Sequence, residues 1–252
     1  MIGLVLMLCF IRGLGAGCGI VAAQPPAVAP ASVFTVDCTE APDLKDWGDK
    51  ARSICEEWYP RIGAYLATDG FTPPASVKIV FKKEMQAPAA TSNAVISINA
   101  DYVSKHRDDF GMVVHELTHV VQAYPRNKAV GENGKRANMG WLVEGIADYV
   151  RFFQYEPRTR VRVDPKKASY RNGYRVAAAF LDWLARTHDA GIVKKLNAAL
   201  RAGDGGEGKF KEITGRTLDD LWNEFVAGLP QRDKPAEKPA EKPAPGEKPA
   251  GK

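Results

Sequence analysis

Two of the four histidines fall in one pentapeptide, His115-Glu116-Leu117-Thr118-His119. On a helix, residues i and i+4 stack on one face, so both imidazoles can reach a single ion about 2.0–2.1 Å from each nitrogen. Glu116 lies about 100° further round the axis, near enough to touch a water on that ion and too far round to be a ligand itself. Met112, Val113, Val114, Val120 and Val121 make the surrounding helix apolar. Two histidines and a glutamate buried there without partners would cost roughly several kcal/mol, and a metal ion supplies the partner. The chemistry open to such a trio is hydrolysis, with a metal-activated water and the glutamate as general base.

A catalytic zinc takes three protein ligands and keeps one position open. His106, His188 and the carboxylates compete for the third place. Glu144 stands out, 25 residues after His119, in the apolar helical stretch Trp141-Leu142-Val143-Glu144-Gly145-Ile146-Ala147-Asp148-Tyr149. Glu144 and Asp148 share a face, so the first can bind zinc while the second accepts the free N–H of a ligand histidine and fixes its tautomer. The competing reading pairs Glu144 with an arginine such as Arg151 and leaves Asp148 exposed. His106, followed by Arg107-Asp108-Asp109, reads as a surface turn, and His188 as a cation at a helix C-terminus.

The elements that must carry these residues follow from periodicity and punctuation. Phe34-Thr35-Val36-Asp37 alternates like a short strand, and residues 44–63 have helical spacing through Trp47, Ala51, Ile54 and Trp58. Residues 76–81 and 93–99 read as strands. Residues 110–124 form the apolar helix with the histidine pair, stopped by Pro125, and 127–140 a polar loop. Residues 141–153, 170–187 and 191–201 are helical, and Thr217 caps a last helix three residues before Asp220. Strands precede helices, so the class is α+β, a small N-terminal sheet with the active-site helix followed by a mostly helical part. Ala94, Ile96 and Ile98 would face the core from a strand whose free edge takes an extended peptide, and Ser97→Pro would then raise KM.

The chain has 252 residues, 45% apolar and 26% charged, which excludes wholesale disorder. Its net charge of +5 comes without a basic run interleaved with aromatics, so no nucleic-acid partner is expected. Residues 1–23 read as a secretory signal cut after Val21-Ala22-Ala23, with Arg12 as the positive end if initiation is at Met7. Cys18 lacks the aliphatic residue a lipoprotein would carry three positions before it. Arg12 and five glycines make a poor membrane span, so no stable insertion is expected after cleavage. Residues 24–33 are a Pro/Ala linker, 34–229 the folded domain and 230–252 a solvated tail of Lys-Pro-Ala-Glu repeats, an inert spacer or a cell-wall or polymer contact. Export, secreted or periplasmic, makes a disulfide the expectation for Cys38 and Cys55, with two buried free thiols as the alternative.

Four blocks, HELTHVVQ, WLVEGIADYVR, GYRVAAAFLDWL and GRTLDDLWNEF, occur in this order and together resemble the plant basic secretory protein family and its bacterial relatives. The resemblance covers residues 34–229 and implies a secreted zinc metallopeptidase of the gluzincin type on a thermolysin-like core. It implies His115, His119 and Glu144 as zinc ligands, Glu116 as base and Asp148 as the acid behind a ligand histidine. Peptides or proteins are then the substrates. A developing oxyanion needs a stabiliser besides zinc; Tyr174, in the third block, is the candidate, with Tyr170, Arg175 and Tyr149 as rivals. Two other functions compete: a catalytically weak binding protein on the same metal fold, and a zinc hydrolase of a non-peptide amide.

Overall fold

The computed structural model describes residues 33–125 and 139–230. The leader, the linker up to residue 32, most of the expected 127–140 loop and the repeat tail lie outside them. Four strands form one sheet in the order β1-β2-β4-β3, with β1 Val33–Asp37, β2 Ser76–Lys82, β3 Ala89–Ser92 and β4 Val95–Asn99. β1, β2 and β4 are parallel, and β3 turns back antiparallel along β4. The hairpin closes at Asn93, whose φ of +54° is a left-handed conformation that asparagine tolerates. The strand expected at 93–99 is therefore β4, but it lies inside the sheet. Ser97 is paired to Val80 on one side and to Ala90 on the other. The edge belongs to β3, whose Ala-Ala-Thr-Ser sequence carries too little β-branched character to announce a strand.

Helix α1, Lys45–Tyr65, joins β1 to its parallel neighbour β2 and covers one face of the sheet. Trp47 anchors its start: the ring stacks on Phe110 at 4.8 Å, meets Phe81 edge-on at 5.8 Å, and its N–H donates to the Arg107 carbonyl. This ties α1 to the entrance of α3. A short α2, Ala100–Lys105, is capped by Asn99, whose side chain accepts from the Tyr102 N–H. Helix α3, Gly111–Gln122, is the histidine helix, and each of its residues except His119 is buried. It ends where Ala123 turns left-handed at φ +37°. Arg201 there donates to the carbonyls of Val121 and Gln122, satisfying two groups that a helix terminus leaves open.

The remainder is helical: α4 Gly140–Tyr149, α5 Tyr174–Thr187, α6 Ile192–Ala202, α7 Gly208–Thr214 and α8 Leu218–Ala227. The fold is thus a mixed α+β one, a small four-stranded sheet with a mostly helical remainder. A π-helical turn, Val150–Tyr155, continues α4 without a break. Helices α4 and α5 pack closely because Gly145 has no side chain; a Cβ there would stand 2.7 Å from the Ala177 methyl. Phe180, Trp183, Trp222 and Phe225 pack ring on ring behind this pair. Thr217 caps α8 as its sequence suggests, accepting from the Asp220 N–H at 3.2 Å. Among the described residues no helix is long and apolar enough to cross a membrane.

The expected bridge between Cys38 and Cys55 is corrected: both are free thiols. Cys38 lies beside Gly48, its Sγ 3.2 Å from where a Cβ there would be. Cys55 is seven residues further along α1, about 10.5 Å of helix rise, and a disulfide spans at most about 6.8 Å between Cα atoms.

Candidate metal centre and its cleft

Helix α3 presents His115 and His119 on one face, and α4 crosses it carrying Glu144 and Asp148. His119 Nε2 lies 3.1 Å from His115 Nε2, and Glu144 Oε2 is 3.2 Å from His115 Nε2 and 3.4 Å from His119 Nε2. Among the described residues, these three are the group of His, Cys, Asp or Glu side chains whose ligand atoms converge, all within 4.8 Å of one another. Four ligands held tetrahedrally at 2.0–2.1 Å stand about 3.3–3.4 Å apart, so the observed separations suit an ion of zinc's size. Two imidazole nitrogens and one carboxylate oxygen also suit a transition metal better than the all-oxygen shells of magnesium or calcium.

Each ring is oriented from behind. His115 Nδ1 lies 2.7 Å from Asp148 Oδ1, a buried contact in which the ring donates, so that loss of the other ring proton leaves Nε2 as the ligand atom. His119 Nδ1 lies 2.7 Å from Gln122 Oε1. Burial alone would lower the His115 pKa, but hydrogen bonds to Asp148 and Glu144, with the charges of Asp148 and Glu116, raise it to about 9. Burial pushes Glu144 up, yet its hydrogen bonds to the two rings and their charges bring it down to about 2. Both shifts share a cause, the hydrogen bonds and charges between imidazole and carboxylate at this spot.

Glu116 points beside the cluster and is 7% exposed. The Thr91 hydroxyl, reaching from β3, donates to Glu116 Oε2 at 2.7 Å. Among the described residues no protein group bonds Oε1. The trio, Glu116 and β3 open onto one cleft of 1280 Å³. Its walls include β3 with its flanking residues, and Asn172 to Val176 at the start of α5. There Gly173 and Tyr174 both have positive φ, +66° and +47°. A Cβ on Gly173 would stand 3.9 Å from the Glu144 Cβ, so the α5 entrance lies directly against the glutamate. Tyr174 is 55% exposed, its ring parallel to His115 at 6.2 Å. The nearby charge of Glu144, followed by burial and the charges of Asp148 and Glu116, raises its pKa.

The rivals for an oxyanion donor divide. Tyr170 is buried among Trp141, Phe180 and Trp222 with its hydroxyl on Asp219, and Tyr149 is buried against Tyr65 and Phe153. Arg175 is exposed, lines the cleft and lies over the Phe152 ring at 4.6 Å. Arg151 serves Asp109 at 2.6 Å rather than Glu144. His106 is exposed and stacked on Tyr102, and His188 packs on Trp183; neither histidine lines the cleft. Sequence reasoning assigned no role to Gln122 and Thr91. Gln122 was findable, three residues after His119 on the same helical face; Thr91 was not, because β3 itself was unread.

No curated protein and no solved structure matches the chain. Residues 48–225, which span β2 to β4, the cleft and all four blocks, match the BSP family, described as a peptidase of plants and bacteria, and the chain belongs to that family.

Proposed function

We propose that the chain is an exported zinc-dependent metallopeptidase of the gluzincin type, on a thermolysin-like arrangement of sheet, histidine helix and glutamate helix. One observation carries the reading: two imidazole nitrogens and a carboxylate oxygen converge within 4.8 Å beside a second glutamate, in the wall of a cleft. His115, His119 and Glu144 would hold the ion. Zinc, when bound, supplies a Lewis acid that polarises a carbonyl and acidifies water. Glu116 then does the proton work. Thr91 occupies its Oε2, leaving Oε1 to take a proton from the attacking water and return it to the leaving amine. Tyr174, in the cleft wall with its ring parallel to His115, is the donor for the developing oxyanion.

An extended peptide fits the β3 edge. The Asn99 N–H donates to the Pro88 carbonyl at 2.9 Å, and antiparallel pairs alternate. Ala90 and Ser92 therefore bond inward to β4, while Ala89 and Thr91 turn their backbone groups to the open side. The export part of the proposal stands on residues 1–23, and a mature N-terminus at Gln24 in protein from the medium or periplasm tests it.

Zinc by elemental analysis beside digestion of a casein peptide pool tests the chemistry. Glu116→Gln should keep about one zinc per chain and lose 10²–10⁴ of turnover. Glu144→Ala removes a ligand oxygen and should lose zinc. Zinc held at wild-type affinity in Glu144→Ala would reject the ligand assignment. Zinc bound with no cleavage of any peptide by the wild type would favour a binding protein or a hydrolase of another amide.

A further inference from the structure

Gln122 closes α3 and is 1% exposed. Its amide is used in two directions at once. Oε1 lies 2.7 Å from His119 Nδ1, and Nε2 donates to the Val143 carbonyl at 3.0 Å. The second bond settles the first: a backbone carbonyl can only accept, so the amide nitrogen faces Val143 and the amide oxygen faces the ring. An oxygen acceptor at Nδ1 draws the ring proton there and leaves the Nε2 lone pair aimed at His115 Nε2 and Glu144 Oε2. Val143 immediately precedes Glu144 in α4. One side chain thus ties the ring of a donor on α3 to the backbone that carries a donor on α4.

We infer that Gln122 is a positioning residue for metal binding, fixing the His119 tautomer and the spacing between His119 and Glu144. The inference rests on the metal reading of the three donors. Its test is zinc affinity of the full chain, by competition with a chromophoric chelator, beside thermal unfolding. Gln122→Met keeps length and volume but loses both bonds, and zinc affinity should fall 10–100-fold. Gln122→Glu restores an acceptor for His119 while setting a buried carboxylate against the Val143 carbonyl. It should therefore bind zinc more tightly than the methionine variant and yet unfold at a lower temperature. A purely structural role would rank affinity in the same order as stability. That order, or wild-type affinity in Gln122→Met, overturns the inference.

Should neither variant fold, ring ¹⁵N shifts of the zinc-free wild type decide, because no metal then dictates the tautomer. A protonated Nδ1 on His119 supports the role, and a protonated Nε2 overturns it. Wild-type protein that takes up no zinc would instead overturn the metal reading itself.

Discussion

Tyr174 stands in the left-handed region, where a side chain costs about 1–2 kcal/mol, and it does so within reach of the candidate metal centre. Backbone strain at such a place is a reason to suspect work for the hydroxyl. Tyr174→Phe keeps the strain and the ring, so the melting temperature should hold while kcat falls by about 10²–10³, the usual cost of one oxyanion donor. Tyr174→Gly relieves the strain and should lose as much kcat with stability equal to or above that of the phenylalanine variant. Unchanged kcat in Tyr174→Phe would pass the role to Arg175. At this scale much of the site was readable in advance. His115, Glu116 and His119 follow from helical spacing alone, and Glu144 and Asp148 from the same spacing in a second apolar stretch. Thr91 needed a fact no local pattern contains, that β3 packs on α3.

At the scale of elements, the long helices were legible because their apolar stripes recur every three to four residues, as in α5 with Ala177, Phe180, Leu181 and Leu184 buried. The edge of the sheet was not. β4 has the β-branched sequence that looks like a strand, and β3 has the position; sheet order is a property of pairing, and pairing is non-local. This gives a test of the peptide-binding edge. Ala89→Pro removes an N–H that faces the cleft side and should raise KM with zinc content unchanged. Ala90→Pro removes an inward ladder bond and should lower the melting temperature. Unchanged KM in a folded Ala89→Pro protein would reject β3 as the peptide-binding edge.

Across the whole molecule, the candidate site draws on elements far apart in the chain, the His115–His119–Glu144 group on α3 and α4, Thr91 on β3 and Tyr174 on α5, all within the stretch that matches the family. The cysteine expectation came from cell compartment, and the geometry of α1 overrode it. Burial raises the Cys38 thiol and pushes Cys55 up to about 12, which makes both poor nucleophiles in the native state. Alkylation in denaturant without reductant, followed by peptide mapping, should find both thiols modified. Reductant should leave the melting temperature unchanged, and a Cys38–Cys55 cross-linked peptide would reject the free-thiol arrangement. The Thr91 bond to Glu116 has a kinetic consequence. On the proposed mechanism, the strand that would receive the substrate also steadies Glu116, so each peptide bond laid along Ala89 to Ser92 would help to order the group that is to move the proton. Binding energy used in that way appears in turnover as well as in affinity. Lengthening a substrate along the strand should therefore speed the chemical step, and a dipeptide should be cut slowly even at saturating concentration.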